Sequence, residues 1–329
     1  MISGLKIEYM KQKIFILSGL VLLIAVIVIM AVDLFSSKKT VKDNPYDYKI
    51  EELRKSDSSQ SGYTEKVTIV TNLAEIHALA CGTGDRIYVA GKDTLAMFDQ
   101  FGKSAGQFLY NGTASCMTLD KKGNVYIGMQ DHVEVFDPNG KLLKKWKPFS
   151  TESLITGIAV SDSNVFLADF GKKIVYNCSI DGRLINRIGE KDPQKKVPGF
   201  IVPSPYFDLA LGKKGELWVA NTGRHSMEQF SRDGSLNSAW GEASMAVEGF
   251  CGCCNPSHFA FLSDGSFVTS EKGIERVKVY SPQGVFRSVV APPEAFIEGT
   301  RGLDLAVDSK DRIIILDPEK KLIRIFVKK

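Results

Sequence analysis

The chain has 329 residues, 44% of them hydrophobic and 24% charged, with a net charge of +4. That balance excludes a disordered chain and a polytopic membrane protein. It gives no support to nucleic-acid binding either: residues 1–60 hold nine Lys/Arg against seven Asp/Glu, which leaves only +2 for the remaining residues. Six cysteines are too few for a disulfide-built scaffold, yet three of them fall within four positions.

In chain order, the first element is an uncharged run, residues 14–32, between Lys13 and Asp33. At about 1.5 Å per residue it reaches roughly 28 Å, close to the hydrocarbon thickness of a bilayer. A cleaved signal peptide has a shorter apolar core and ends in small residues. This run ends Ile-Met-Ala-Val, with no Ala-x-Ala site and no lipid-acceptor cysteine after it. Residues 1–13 are therefore predicted to be a short tail and residues 14–35 an uncleaved single-pass signal-anchor. Lys6, Lys11 and Lys13 nearly balance Lys38, Lys39 and Lys42 in the positive-inside count. A short N-terminal tail with a long C-terminal part favours export of the latter, into the periplasm of a Gram-negative source. Residues 36–64 read as a polar tether.

From about residue 65 the sequence repeats. Cys116-Met-Thr-Leu-Asp-Lys-Lys-Gly-Asn-Val-Tyr-Ile-Gly128 matches Asp208-Leu-Ala-Leu-Gly-Lys-Lys-Gly-Glu-Leu-Trp-Val-Ala220 and His258-Phe-Ala-Phe-Leu-Ser-Asp-Gly-Ser-Phe-Val-Thr-Ser270. These copies are followed by another short apolar run and a turn ending at Gly140, Gly234 and Gly284, and two further units end in the same way at Gly102 and Gly182. Short β-branched and aromatic runs between Gly/Asp/Asn turns predict antiparallel strands. A repeat of this length with several strands per unit predicts an all-β, six-bladed β-propeller over residues 65–329. The sixth unit stops after its third strand, so the run Lys66-Val-Thr-Ile-Val70 is predicted to supply the missing outer strand and close the ring.

The repeats resemble the NHL family of six-bladed propellers (NHL/TolB-like). Ala220-Asn-Thr-Gly-Arg-His225 followed by Gln229-Phe-Ser-Arg-Asp-Gly234 carries the likeness, and Glu271–Tyr280 is a looser copy. The family resemblance implies a fold more than an activity, because this architecture hosts lyases, lactonases, receptors and scaffolds.

In such a propeller the inner strand of each blade starts at the mouth of a central channel. Aligning the repeats puts Cys116, Gly157, Asp208, His258 and Asp304 at that position in blades two to six, and His77 or Ala78 in blade one. Cys, Asp, His and Asp around one mouth make a metal-ligand inventory; the plain alternative is a wet, polar entrance. Just before His258 lies Gly249-Phe-Cys-Gly-Cys-Cys-Asn-Pro256. Three readings of Cys251, Cys253 and Cys254 are open. They form a disulfide, either Cys251–Cys254 or one with Cys116; they ligate a soft metal ion or an iron–sulfur centre with His258 or Cys116; or they are a reactive dithiol. Cys81 and Cys178 read as buried small hydrophobes, His225 as a structural hydrogen-bonder, and His132 as a turn residue. Asp169, Asn221, Glu271 and Asp317 read as turn caps, and Trp146, Trp218 and Trp240 as blade packing.

The sequence thus predicts a membrane-anchored extracytoplasmic binding or scaffold module, with a protein partner that could be a membrane redox complex. The alternatives are a metal-dependent propeller enzyme, lyase- or lactonase-like, or an electron-transfer protein with a Cys-ligated cluster. Peptide-amidating lyases of this architecture hold zinc through several histidines and propeller lactonases hold calcium in a carboxylate and amide ring. This chain departs from both, with one well-registered ring histidine and no amide partners for Asp208 and Asp304.

Overall fold

The computed structural model describes residues 2–36, 50–55, 57–195 and 197–329. The chain divides into two units, Met1–Lys49 and Ile50–Lys329. In the first, α1 (Ile2–Ser36) is one helix. Its Lys13–Val32 window has a mean hydropathy of 3.2 and no buried residue, long and apolar enough to cross a membrane. Much of the expected tether, residues 37–49, lies outside the described residues. Its second half belongs to the other unit. There α2 (Ile50–Leu53) leads to Arg54, which pairs with the buried Glu275, and Gly62 N–H donates to Val289 O at 3.1 Å.

The second unit is built of six antiparallel sheets, each a meander. The first strand, β1 (Tyr63–Val70), belongs to the last sheet. Blade one is β2 (Ile76–Cys81), β3 (Ile87–Phe98) and β4 (Ser104–Thr113). Blade two is β5 (Cys116–Leu119), β6 (Val125–Gly128), β7 (Val133–Phe136) and β8 (Leu142–Lys145). Blade three is β9 (Ile155–Val160), β10 (Asn164–Asp169), β11 (Ile174–Ser179) and β12 (Leu184–Ile188). Blade four is β13 (Leu209–Leu211), β14 (Leu217–Asn221), β15 (Ser226–Phe230) and β16 (Leu236–Trp240). Blade five is β17 (His258–Phe261), β18 (Phe267–Glu271), β19 (Arg276–Tyr280) and β20 (Phe286–Ala291). Blade six is β21 (Leu305–Val307), β22 (Ile313–Asp317) and β23 (Leu322–Lys328), completed by β1. This is a six-bladed β-propeller. Blade one differs from the expected pattern in using one long strand, β3, whose first part pairs with β2 and second part with β4; Asp93, at φ 57°, lies in the second part.

Alternation explains why these strands are buried on both faces. Ile313 and Ile315 pack toward blade five with Val277 and Val279, whereas their neighbours Ile314 and Leu316 pack toward blade one with Ile87 and Val89. Six such apolar clusters are described, one at each blade–blade junction. Each fully buried Ile or Val contributes roughly 1.5–3 kcal/mol, so the fold is held between blades rather than within them.

The repeated glycine has two causes. Gly182 sits at φ 85°, where L side chains are strained, and a Cβ there would stand 2.6 Å from the ring of Trp146. Gly284, at φ 80°, meets Trp240 in the same way at 2.5 Å. The turn of each of these blades is therefore laid on the indole of the preceding one.

Closure follows the expected route. β1 pairs antiparallel with β23 from Tyr63↔Lys328 to Val70↔Leu322. Arg324 of β23 donates from Nε to Glu65 of β1 at 3.1 Å and also pairs with Asp317 at 3.5 Å. The last blade thus takes its outer strand from the start of the domain, which covers the edge of β23.

Candidate functional site

Strand registers place the inner ring. Cys116 faces Gly128, Gly157 faces Ala168 and His258 faces Ser270. Asp208 and Asp304 precede the pairs Leu209↔Val219 and Leu305↔Ile315. In blade one the equivalent residue is Ala78, opposite Ala90. His77 therefore stands outside the ring. It is exposed, lies 3.1 Å from Glu75, and helps line the entrance cavity above the ring.

The two ring aspartates have the same hydrogen-bond pattern. Asp208 accepts from its own following N–H, that of Leu209, at 2.8 Å, and from Phe259 N–H of blade five at 3.0 Å. Asp304 accepts from Leu305 N–H at 2.8 Å and from Leu79 N–H of blade one at 2.7 Å. Each carboxylate is a clip between neighbouring inner strands. Gly157 makes room for the first: a Cβ there would lie 3.2 Å from Asp208 Oδ1.

His258 sits between the clips. Its Nδ1 is 3.6 Å from Asp208 Oδ2 and 3.6 Å from Asp304 Oδ1, distances of an ion pair rather than a hydrogen bond. Burial works against its charge, but the two carboxylates outweigh burial and hold its pKa above the ordinary value. Burial lifts the Asp304 carboxyl to about 6, with His258 pulling it down and Asp208 pushing it up. The ring thus couples an imidazole to two carboxylates through charge.

Around it runs a channel of about 350 Å³ lined by the inner strands, among them Cys116, Asp208, His258 and Asp304. Above it an entrance cavity of about 310 Å³ is lined by His77, Ser115, Tyr206, His258 and Arg301. Cys116 is no open ligand. It is 8% exposed in the blade two–three core, over Gly128, and burial raises its pKa so that it stays a neutral thiol. Among the described residues no three His, Cys, Asp or Glu side chains form a group that could hold a metal ion. Each carboxylate oxygen of the two ring aspartates accepts a backbone N–H.

The cysteine loop is anchored from below and from both ends. Lys278, with its side chain fully buried, donates to Val247 O at 2.9 Å, Gly249 O at 2.6 Å and Glu271 at 3.0 Å. Burial depresses its pKa to about 8. Asn255, also fully buried, donates to Cys251 O at 2.7 Å and Lys272 O at 2.9 Å, and accepts from Lys272 N–H at 3.0 Å. Cys251 and Cys254 are buried and Cys253 is exposed; all six cysteines are free thiols. The sulfur–sulfur contact is Cys253–Cys254, at 3.1 Å, and not the Cys251–Cys254 or Cys116 pairings named from the sequence. Cys251 Sγ instead receives Arg276 Nη2 at 3.9 Å.

The loop connects to the ring. Lys272 Nζ donates to Ser204 Oγ at 3.1 Å and stands 4.8 Å above the Tyr206 ring, which meets His258 edge-on at 5.9 Å. Ser204, Tyr206, Lys272 and Arg301 were not singled out from sequence. The segment Pro203-Ser-Pro205 before Tyr206 was the available signal, since it parallels the cysteine loop one blade earlier.

The other sequence candidates have structural partners. Asp169 accepts from Leu154 N–H, Asn221 from Ile201 N–H and Asp317 from Lys320 N–H, so they close turns; Glu271 pairs with Arg276 and Lys278. His132 lies between Asp131 and Glu134. His225 departs from its expected role as a structural hydrogen-bonder: it takes φ 54° at a turn, and its buried Nδ1 has no hydrogen-bond partner. Cys81 is half-buried and Cys178 buried, and burial pushes both up to about 12.

No protein-family model and no curated protein matches this sequence. Among solved structures, the chain is similar to virginiamycin B lyase from Staphylococcus aureus, with a TM-score of 0.57 and 10% identity over 81% of this chain and 100% of the lyase. A streptogramin B lyase structure gives a TM-score of 0.57 and 9% identity, over 83% of this chain and 100% of that one. A protein of unknown function from Bacteroides caccae gives 0.51 and 12%, over 67% and 83%. At these identities the likeness is one of fold.

Proposed function

We propose that the chain is a membrane-anchored binding module of the NHL-repeat type, with its propeller displayed outside the cytoplasm and its ligand or partner received at the channel mouth. The observation that carries this is His258, held between Asp208 and Asp304 beneath an open cavity rimmed by Arg301 and His77. Among the described residues Arg301 has no ion-pair partner, so it offers a guanidinium to an incoming acidic or polar group. The apolar helix supports the anchor, and the short N-terminal tail supports the outward orientation.

The test uses the full chain in its native membrane. A photo-crosslinking residue replaces Arg301 at the mouth or Phe101, an exposed turn residue at the opposite end of the blades. Adducts at Arg301 and none at Phe101 are expected; adducts at neither position, or equally at both, overturn the reading. Protease added to sealed cells is expected to remove the propeller.

A second reading is acid–base catalysis at the same mouth. It rests on the His258–Asp304 pair, an imidazole whose pKa is raised beside a carboxyl lifted to about 6. The similar solved structures include a catalytically inactive variant of the Staphylococcus aureus lyase with quinupristin. Cleavage of quinupristin by this chain, lost in His258→Ala, would establish that reading over simple binding.

A further inference from the structure

The cysteine loop brings together three features that the ring does not use. The first is the contact itself: Cys253 Sγ and Cys254 Sγ stand 3.1 Å apart as free thiols. The second is their unequal placement, with Cys253 exposed to solvent and Cys254 2% exposed beneath it. The third is the surroundings of the buried sulfur. Burial opposes ionisation of Cys254, but the Ser204 hydroxyl, the Cys253 thiol and the Lys272 ammonium outweigh it and hold its pKa below the ordinary value. Cys253, whose proton is shared with Cys254, is raised accordingly. The loop is pinned by Lys278 and Asn255, so the two sulfurs are held in place rather than carried on a free segment. Cys251, engaged by Arg276, stands apart from the pair.

We infer that Cys253 and Cys254 are a dithiol that exchanges electrons with disulfide-bearing molecules, cycling between a reduced pair, which reacts as one thiol and one thiolate, and a Cys253–Cys254 disulfide. This goes beyond the binding reading and uses side chains that reading does not need.

The exchange balances as follows. Cys253 passes its proton to the Cys254 thiolate and attacks one sulfur of the incoming disulfide. That disulfide bond breaks, a mixed disulfide forms on Cys253, and the other sulfur leaves as a thiolate that takes the proton back from Cys254. Cys254 then attacks Cys253 Sγ, closing the bond between the two cysteines and expelling the second sulfur as a thiolate. Two cysteine sulfurs are oxidised, one disulfide is reduced to a thiol and a thiolate, and the shared proton leaves on the first. Adjacent cysteines close the smallest ring a cysteine pair can form, and strained disulfides are the readily reduced kind suited to a cycle.

The experiment takes the full chain in detergent, fully reduced, and adds glutathione disulfide in one arm and insulin as a protein disulfide in the other. Released thiols are counted, and the peptide covering residues 249–258 is mapped by mass spectrometry after alkylation. The expected product is a Cys253–Cys254 disulfide, with two thiols released per chain. Cys254→Ser is expected to stop at a mixed disulfide on Cys253 with one thiol released. Cys253→Ser is expected to slow the reaction by roughly a hundredfold, since only the buried sulfur remains. Cys251→Ser is expected to react as the wild type does. Reduction of glutathione disulfide alone assigns a low-mass substrate, and reduction of insulin alone a protein one. A product disulfide containing Cys251, or no reduction of either disulfide, overturns the inference. The wild-type map decides this even where a variant fails to fold.

Discussion

Asp304, at the start of the last blade's inner strand, accepts a 2.7 Å hydrogen bond from the backbone N–H of Leu79 in the first blade. The propeller is therefore closed twice. β1 closes it at the rim by pairing with β23, and one carboxylate closes it at the channel. Asp208 makes the same link between blades four and five.

Removing a clip strands two backbone donors. We expect Asp304→Ala to destabilise the domain by roughly 1–3 kcal/mol, because the buried Leu79 and Leu305 N–H groups both lose their acceptor. Asp304→Asn, which keeps one acceptor oxygen, is expected to cost less. The midpoint of urea unfolding at constant m reads both.

The ring also sets a pH dependence, and its sign follows from the two shifts. The folded Asp304 carboxyl titrates at about 6 and the unfolded one near the ordinary value of 3.8, so the folded state holds more protons between those limits and stability falls as pH rises through them. The His258 pKa is raised, so its stabilising contribution is complete below the unfolded value and is lost as pH rises through the folded one. Both act in the same direction. We expect the ring to be stronger at pH 5 than at pH 8; His258→Gln is expected to remove the imidazole share of this dependence and to move the Asp304 share to higher pH. An NMR titration of the His258 ring that fell below its ordinary value would contradict this.

The buried lysine under the cysteine loop offers another measurement. Lys278→Met leaves the carbonyls of Val247 and Gly249 without their donor and Glu271 with Arg276 alone. We expect local loosening of the loop, read as a roughly tenfold faster alkylation of the buried Cys251. An unchanged rate would mean that Asn255 alone holds the loop.

At the rim, Ile69 of β1 is 6% exposed between blades six and one. Ile69→Asp puts a carboxylate into that junction and is expected to cost more than about 3 kcal/mol and to expose the edge of β23. A lowered melting temperature together with association on size-exclusion chromatography is the expected outcome; a monomer of unchanged melting temperature would refute it.

The repeat was legible because its causes are local. Runs such as Val125-Tyr-Ile-Gly128 and Ile313–Asp317 announce strands by composition, and Gly182 and Gly284 announce turns that require positive φ. Counting strands per unit then showed that the last blade lacked one and that residues 66–70 were available. Blade one departs from the repeat, since β3 runs unbroken through what are separate second and third strands in the other blades.

The site was legible only as an alignment. Registering the repeats placed Cys116, Asp208, His258 and Asp304 at one mouth, but left His77 and Ala78 as equals. The Asp304–Leu79 bond decides for Ala78, and it joins residues 225 apart in sequence. Nothing in the local pattern says that an inner-strand aspartate will accept N–H groups from its own strand and from the next blade.

By itself the sequence determined the apolar helix, the six-fold repeat, the closing strand and the concentration of cysteines before blade five, because each is written in patterns of neighbouring residues. Tertiary structure alone decided that Cys253 meets Cys254 while Cys251 goes to Arg276, that Cys116 packs between blades two and three, and that Lys272 and Tyr206 join the cysteine loop to His258. Those contacts depend on how one blade's loops lie against the next. That placement is set by packing between sheets, and no period along the chain records it.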